Sequence, residues 1–582
     1  MNFFKIFFAT LLAIVLSVVV FIVIFVGGIV GLIAGASSSV AIKPESVLVI
    51  DMNESIVDTP LSNPLSMIDI KNLSIKNQIT TLDAIRAIEQ AAMDDNIKGV
   101  YIRPRMNNEL SMAILEELRE ELKRFMEQGK FVVAYGDGYS QGEYYLASVA
   151  DTLYLQPEGM IVWQGMAATS MFYRGLLDKL DVDVEVFRPA ECTYKSAIEP
   201  LTRHNMSPQS REQSTALVES LWGSVSSDVA QSRHSTPFLL NKYADNLISL
   251  IPSDAVAANL VDELIYEDQL EQKFKSLGVK LNDNDKANRV SLSNYILNQE
   301  LLTPTSTSAP EVAVIYAEGV IVDGEGEIGE IGGDALARTL ARLRRDSNVK
   351  SVVLRVNSPG GSALASDVVW REMSLLRGEK PLIVSMGGYA ASGGYYISAP
   401  ADVIMANRLT ITGSIGVYGV LLDFEKGLSS KLGITSDAAK SNTSADFMRV
   451  SRPINPTERA VMNRSVDQVY NTFSSHVSSG RNLSMERVHN IAQGRVWSGE
   501  DALNIGLVDG IGGIKTAILL AAERGGMSDN FQISEHTPTS QEWSAFLLPL
   551  TSAIFPQQNI FHNLNFMKSK NGVVMFSPLR VE

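Results

Sequence analysis

A chain of 582 residues is too long for one hydrophobic core and implies roughly two to four domains. Its 50 basic and 65 acidic residues leave a net charge of −15 with no basic stretch outside short helical faces, which excludes nucleic acid as a partner. The single cysteine, Cys192, excludes an intrachain disulfide and thiolate zinc clusters, and the six histidines follow no metal-binding spacing, so neither a metal nor another cofactor is expected.

Residues 6–35 carry no charged side chain and are dense in Phe, Ile, Leu and Val, whereas about 20 apolar residues cross a bilayer as a helix. A cleavable signal has an apolar part of only about 7 to 15 residues. Despite the small-residue triplet at 34–36, the length reads as one retained transmembrane helix, with residues 1–40 as anchor and flank. Lys5 precedes the span and an acidic body follows it, which puts the N-terminus in the cytoplasm and the remaining mass outside.

From residue 41, short β-branched runs alternate with amphipathic helical stretches. IKGVYIRP (97–104) and GKFVVAYGDGYSQGEYYLASVADTLYL (129–155) are followed by DVDVEVFRP and ECTYKSAIEPL, which sets Lys195 between Tyr194 and Ser196 with few charges nearby. MSPQSRE at 206 places Ser before Pro, the N-cap and first-turn pair of a helix. After a Thr/Ser/Pro-rich joint at 302–310, the chain repeats itself. VKSVVLRV (349–356) answers IKGVYIRP, and EKPLIVSMGGYAASGGYYISAPADVIM from Glu379 answers the long run at an offset near 251. INPTERA at 454 answers MSPQSRE, and GLVDGI at 506 answers NLVDEL at 259. The organisation is a tandem duplication: a first α/β repeat over 41–301 and a second over 311–582.

In the second repeat, VAVIYAEG, a helix around Asp334–Arg345, SVVLRVN, a helix from about Ala363 to Leu376, and PLIVSM form a βαβαβ pattern. This implies parallel strands covered by helices, with chemistry at the carboxyl ends of the strands. Three loops at such ends stand out. NSPGG (357–361) can aim backbone N–H groups outward as an oxyanion hole, though Pro-Gly-Gly alone is an ordinary turn. GGYAASGGYY (387–396) sets Ser392 at a small-residue turn before a helix, the display used for nucleophiles; the plainer reading is an N-capping serine. LTITGSIGVYG (409–419) carries Ser414, which could orient a base or satisfy a turn.

The first repeat discriminates. At offsets of 251 to 252 Ser392 falls on Gln141, Ser414 on Trp163, and the Pro-Gly-Gly turn on Asn107, Asn108 and Glu109. The scaffold persists and the chemical features are lost, which favours function over folding as their reason. No histidine occurs between His234 and His476, and His476 and His489 lie on polar helical segments, so a Ser/His/Asp triad has no support. A lysine base is the other option, with Lys195 in the first repeat or Lys440 in the second; it must be uncharged, which requires burial or a neighbouring cation.

TYKSAIEP, NSPGG, MGGYAASGGYYIS and TGSIGVYG together resemble the long, duplicated form of the membrane-bound signal peptide peptidase family (SppA, protease IV), and the likeness covers nearly the whole chain. That resemblance implies tandem crotonase- or ClpP-like domains and a serine protease working through a Ser/Lys dyad. It implies that Ser392 is the nucleophile, Lys195 the general base, Ser414 the group that holds the lysine, and Gly360 and Gly361 part of the oxyanion hole. It further implies a homotetramer at the bacterial cytoplasmic (inner) membrane, body periplasmic, that cuts released signal peptides and other apolar peptides. The residues from Glu542 onward have no chemical reading. Two competing functions are an acyl-thioester enzyme on the same scaffold, which needs a carboxylate beside NSPGG such as Asp367, Glu372 or Asp402, and a non-catalytic membrane scaffold.

Overall fold

The computed structural model describes residues 42–60, 68–69, 74–75, 78–106, 110–298, 309–527, 531–538 and 574–576, together with Phe7 and Ser17. The expected anchor at 6–35 otherwise lies outside the described residues, as do the Asn107–Asn108–Glu109 counterpart of the glycine turn and most of the 302–310 joint. No helix among the described residues is long and apolar enough to cross a membrane.

Two sheets repeat one plan. The first runs, edge to edge, Glu263–Leu264, Thr152–Ile161, Phe131–Tyr139, Ile97–Arg103, Ser46–Asp51 and Arg289–Ser291, all parallel. The second follows the same order with Gly510–Ile511, Val403–Ala406, Leu382–Ala391, Val349–Ser358, Glu311–Glu318 and Gln532–His536. β-Branched runs such as SVLVID are buried on both faces, as parallel strands beneath helices require.

The duplication extends to individual hydrogen bonds. Asp151 accepts from Val132 N–H at 2.8 Å where Asp402 accepts from Leu382 N–H at 2.9 Å. The Tyr144 hydroxyl donates to Leu260 O and the Tyr395 hydroxyl to Leu507 O. Lys130 donates to the carbonyls of Ala91 and Asp94, and Lys380 to those of Leu343 and Asp346. Both predicted Ser/Asn-Pro helix starts are observed: Ser207 caps Pro208–Ser232 and Asn455 caps Pro456–Arg481.

The repeats are not separate bodies. One apolar cluster contains Leu48, Ile88 and Leu115 of the first and Val314, Val353 and Ile518 of the second. Asp183–Phe187 pairs antiparallel with Gly419–Asp423 across the junction. At the centre, the Arg355 guanidinium, 1% exposed, is held by Asp58 at 2.9 Å and Glu117 at 2.8 Å, both from the first repeat. Glu117 also accepts from Asn407 and from Ile514 N–H. Buried charges need this degree of pairing because each would otherwise lose its hydration uncompensated.

Candidate active site

The strand Leu382–Ala391 continues through the Gly387–Ala391 segment, with a register shift at Gly387–Tyr389 against the neighbouring strand, so the glycines expected to make a turn fall at an irregularity within the strand. The turn falls on Ser392 itself, whose φ of 57° and ψ of −114° are rare for a residue with a Cβ. Holding such a conformation costs about 1–3 kcal/mol and needs surrounding packing to fix it. Ser392 occupies the N-cap position of Gly393–Ser398, yet its side chain makes no capping bond. Its hydroxyl instead lies 2.7 Å from Lys195 Nζ. The capping explanation of this serine therefore fails.

Lys195 reaches across from the first repeat, just ahead of the short turn Ser196–Ile198. Nζ donates to Ser414 O at 2.9 Å and to Ser414 Oγ at 2.8 Å, and Ser414 Oγ in turn lies 3.4 Å from Gly494 O as its donor. Ser392, Lys195 and Ser414 are each 0% exposed. Burial pushes the Lys195 amine down from 10.5 to about 7, and no carboxylate among the described residues bonds it to hold the charge. Uncharged, it has two N–H groups, which match the two oxygens of Ser414, and one lone pair free to accept from Ser392.

The glycine turn is partly a strand. Gly360–Ser362 pairs parallel with Val320–Val322 and antiparallel with Val574–Phe576 of the C-terminal region, and Ser362 then caps the helix Ala363–Arg377. A Cβ built on Gly393 would fall 3.1 Å from Gly361 N and 3.2 Å from Gly360 Cα, so this backbone abuts the residue following Ser392. Gly360 N–H donates to Ser358 Oγ at 3.2 Å. Of the two amides, that of Gly361 is the one beside Gly393. Among the described residues no group of His, Cys, Asp or Glu gathers as a cation site.

Peptidase family S49 matches this chain twice, over residues 124–282, which contain Lys195, and 374–528, which contain Ser392 and Ser414. The chain belongs to peptidase family S49. It is a serine protease, and its similarity to other proteases is extensive. It is 38% identical to Protease 4 of Salmonella typhi over 82% of this chain and 78% of that one. It is 30% identical to the chloroplastic serine protease SPPA of Arabidopsis thaliana over 76% of this chain and 66% of that one. A putative signal peptide peptidase SppA of Enterococcus faecium is 34% identical over 39% of this chain and 66% of its own length.

In this S49 chain the first repeat's corresponding strand end is closed by structural groups. The Gln141 side chain donates to Gly165 O and accepts from the N–H groups of Gln164 and Gly165. Trp163 is fully buried against Tyr144 and Trp222 and donates to Leu240 O. The rival bases are engaged elsewhere: Lys440 pairs with Asp446 at 2.8 Å, His476 stacks on Trp370 beside Asp367, and His489 lies against Tyr470. The carboxylates a thioester enzyme would need are occupied too, Asp367 by Tyr396, Glu372 by Arg344, and Asp402 by Arg377. Sequence reasoning missed Gln213 and the segment 493–496, which surround Lys195. Gly494, at φ 82°, is so close that a Cβ there would lie 2.6 Å from Lys195 Cβ. Gly494→Ala is expected to lower peptide cleavage at least about tenfold by displacing the lysine, checked by steady-state kinetics on folded variant.

Proposed function

We propose that this S49 protease is a membrane-anchored endopeptidase that hydrolyses released signal peptides and other apolar peptides through a Ser392/Lys195 dyad. The observation that carries the reading is the 2.7 Å approach of a strained, buried serine hydroxyl to a buried amine whose other partners are neutral oxygens. In acylation the Lys195 lone pair takes the Ser392 proton as Oγ attacks the peptide carbonyl. The Gly361 amide, with Gly360 shaping the turn, stabilises the oxyanion. The ammonium then gives its proton to the leaving amine, and a water deprotonated by Lys195 hydrolyses the acyl-enzyme. Ser414 keeps the amine aimed throughout.

The charge-free stretch at 6–35 supports a single-pass anchor in the bacterial cytoplasmic membrane, N-terminus inside and body periplasmic. The name of the Enterococcus relative supports signal peptides as substrates. A homotetramer follows from the resemblance alone. The direct test is covalent labelling by a fluorophosphonate. Adduct on Ser392 in the parent, lost in Ser392→Ala, is the expected result; a labelled serine elsewhere overturns the reading and its absence favours a scaffold.

The lysine also sets the pH dependence. Below about 7 the amine carries its extra proton and cannot accept another, so kcat/KM is expected to fall about tenfold per pH unit. Above that point the profile levels off. Because the folded pKa lies below the unfolded one, the unfolded chain binds more protons in that window, and Lys195 makes stability rise with pH from about 7 toward 10.5. A kcat/KM profile flat from acid to pH about 8 is incompatible with this base.

A further inference from the structure

Gln213 is 1% exposed on the helix Pro208–Ser232, yet all of its polar atoms point at the surroundings of Lys195. Nε2 donates to Tyr194 O at 2.8 Å and to Ser196 Oγ at 2.9 Å, the residues on either side of the lysine. Oε1 accepts from Val496 N–H at 3.3 Å, in the second repeat. Val496 begins the strand Val496–Ser498, which pairs antiparallel with Ile411–Gly413, the strand that delivers Ser414. The three residues before Val496 finish the connection. Gln493 O accepts from Tyr194 N–H at 3.0 Å, Gly494 packs on the Lys195 backbone, and Arg495 O accepts from Ser414 N–H at 2.7 Å.

We infer that Gln213 is a positioning residue for the base: one side-chain amide fixes both flanks of Lys195 and ties them to the strand that carries its partner serine. An amide suits this role better than other side chains because it offers two N–H donors and one acceptor on a rigid plane, matching two oxygens and one N–H. Without Gln213 the flanks of Lys195 would be tied to the 493–496 segment by Tyr194 N–H, the packing of Gly494 and the 3.4 Å bond from the Thr193 hydroxyl to Gln493 Oε1. Four-carbon lysine side chains amplify small rotations of the backbone into ångström errors at Nζ, and errors of that size are expensive in rate.

The reading rests on Lys195 as base, and the experiment separates the two. The groups facing Lys195 are the Cys192 thiol of its own loop, the Arg188 guanidinium 3.3 Å from its carbonyl, and the Arg495–Glu212 pair over the Tyr194 ring. None of them is hydrogen-bonded to the Gln213 side chain. In the full-length protein, Gln213→Leu is expected to lower kcat per titrated serine at least about tenfold, with KM within about twofold, and to move the alkaline rise of the pH profile upward as the amine becomes hydrated. A purely structural role would reduce the number of active sites and leave both the pH midpoint and the rate per site unchanged; that outcome overturns the inference. Ser196→Ala removes one of the three bonds with little change in volume, and covers the case in which Gln213→Leu does not fold. Its expected result is an upward shift of the midpoint with kcat down about threefold, and an unchanged midpoint and kcat overturn the inference. Lys195→Met is measured alongside. If it retains cleavage, the dyad itself fails; if it is inactive while the Gln213 and Ser196 variants are normal, only the positioning role falls.

Discussion

Lys195→Met is expected to lower cleavage of an apolar peptide by about 10² to 10⁴-fold, and Ser392→Ala by on the order of 10⁴-fold or more. The methionine fits the same buried space without an amine, so the variant should stay folded while the serine loses its proton acceptor. In the proposed dyad the two groups act as one unit, so the two effects should not add. Steady-state kinetics on the single and double variants, with circular dichroism to establish folding, is the measurement. Strong cleavage by folded Lys195→Met would return attention to Lys440, even though that lysine is paired with Asp446.

Arg355→Met should be the most damaging substitution for stability. Arg355 is the cation between Asp58 and Glu117, and all three side chains are at most 3% exposed. Removing it leaves two buried carboxylates facing each other, and breaking a buried pair in this way costs about 3–5 kcal/mol. Ser385 Oγ and Met386 O lose their donor as well. Since Asp58 and Glu117 come from one repeat and Arg355 from the other, the loss is concentrated at the junction across which Lys195 reaches Ser392. Denaturant titration should show a large fall in midpoint, and activity should disappear at lower denaturant than the strands unfold. A change below about 1 kcal/mol would mean that the two carboxylates find other partners.

Much of this was legible because the chain carries its own comparison. The alternation of β-branched runs and amphipathic helices announces parallel sheets, and both sheets follow one strand order. Ser392 and Ser414 stand out because their counterparts are Gln141 and Trp163, and Lys195 because it sits among so few charges. The local geometry was less legible. Small residues in GGYAA suggest a turn, but the strand continues past an irregularity at the glycines, and pairing of Tyr389–Ala391 to Ile411–Gly413 keeps it extended until Ser392. Arg355 is hidden inside SVVLRV, where one charge in an apolar strand carries no sign of its partners, Asp58 297 positions away and Glu117 238 positions away. Gln213 is one of three glutamines on its helix, and only its three bonds set it apart. The matched helix starts at 206 and 454 map it to the exposed Val461, so the same comparison that exposed the serine could have found it.

The placement of the amine in one half and the hydroxyl in the other constrains inheritance. On the proposed dyad, either half copied into another gene by itself would lack one of the two reacting groups, and it would also lose the partners of its own core and of the Arg355 cluster. Substitutions on opposite sides of the junction are therefore filtered together, and two separately expressed fragments would regain activity only on reassociation. If the proposed dyad holds, the two family-S49 copies work only as a pair.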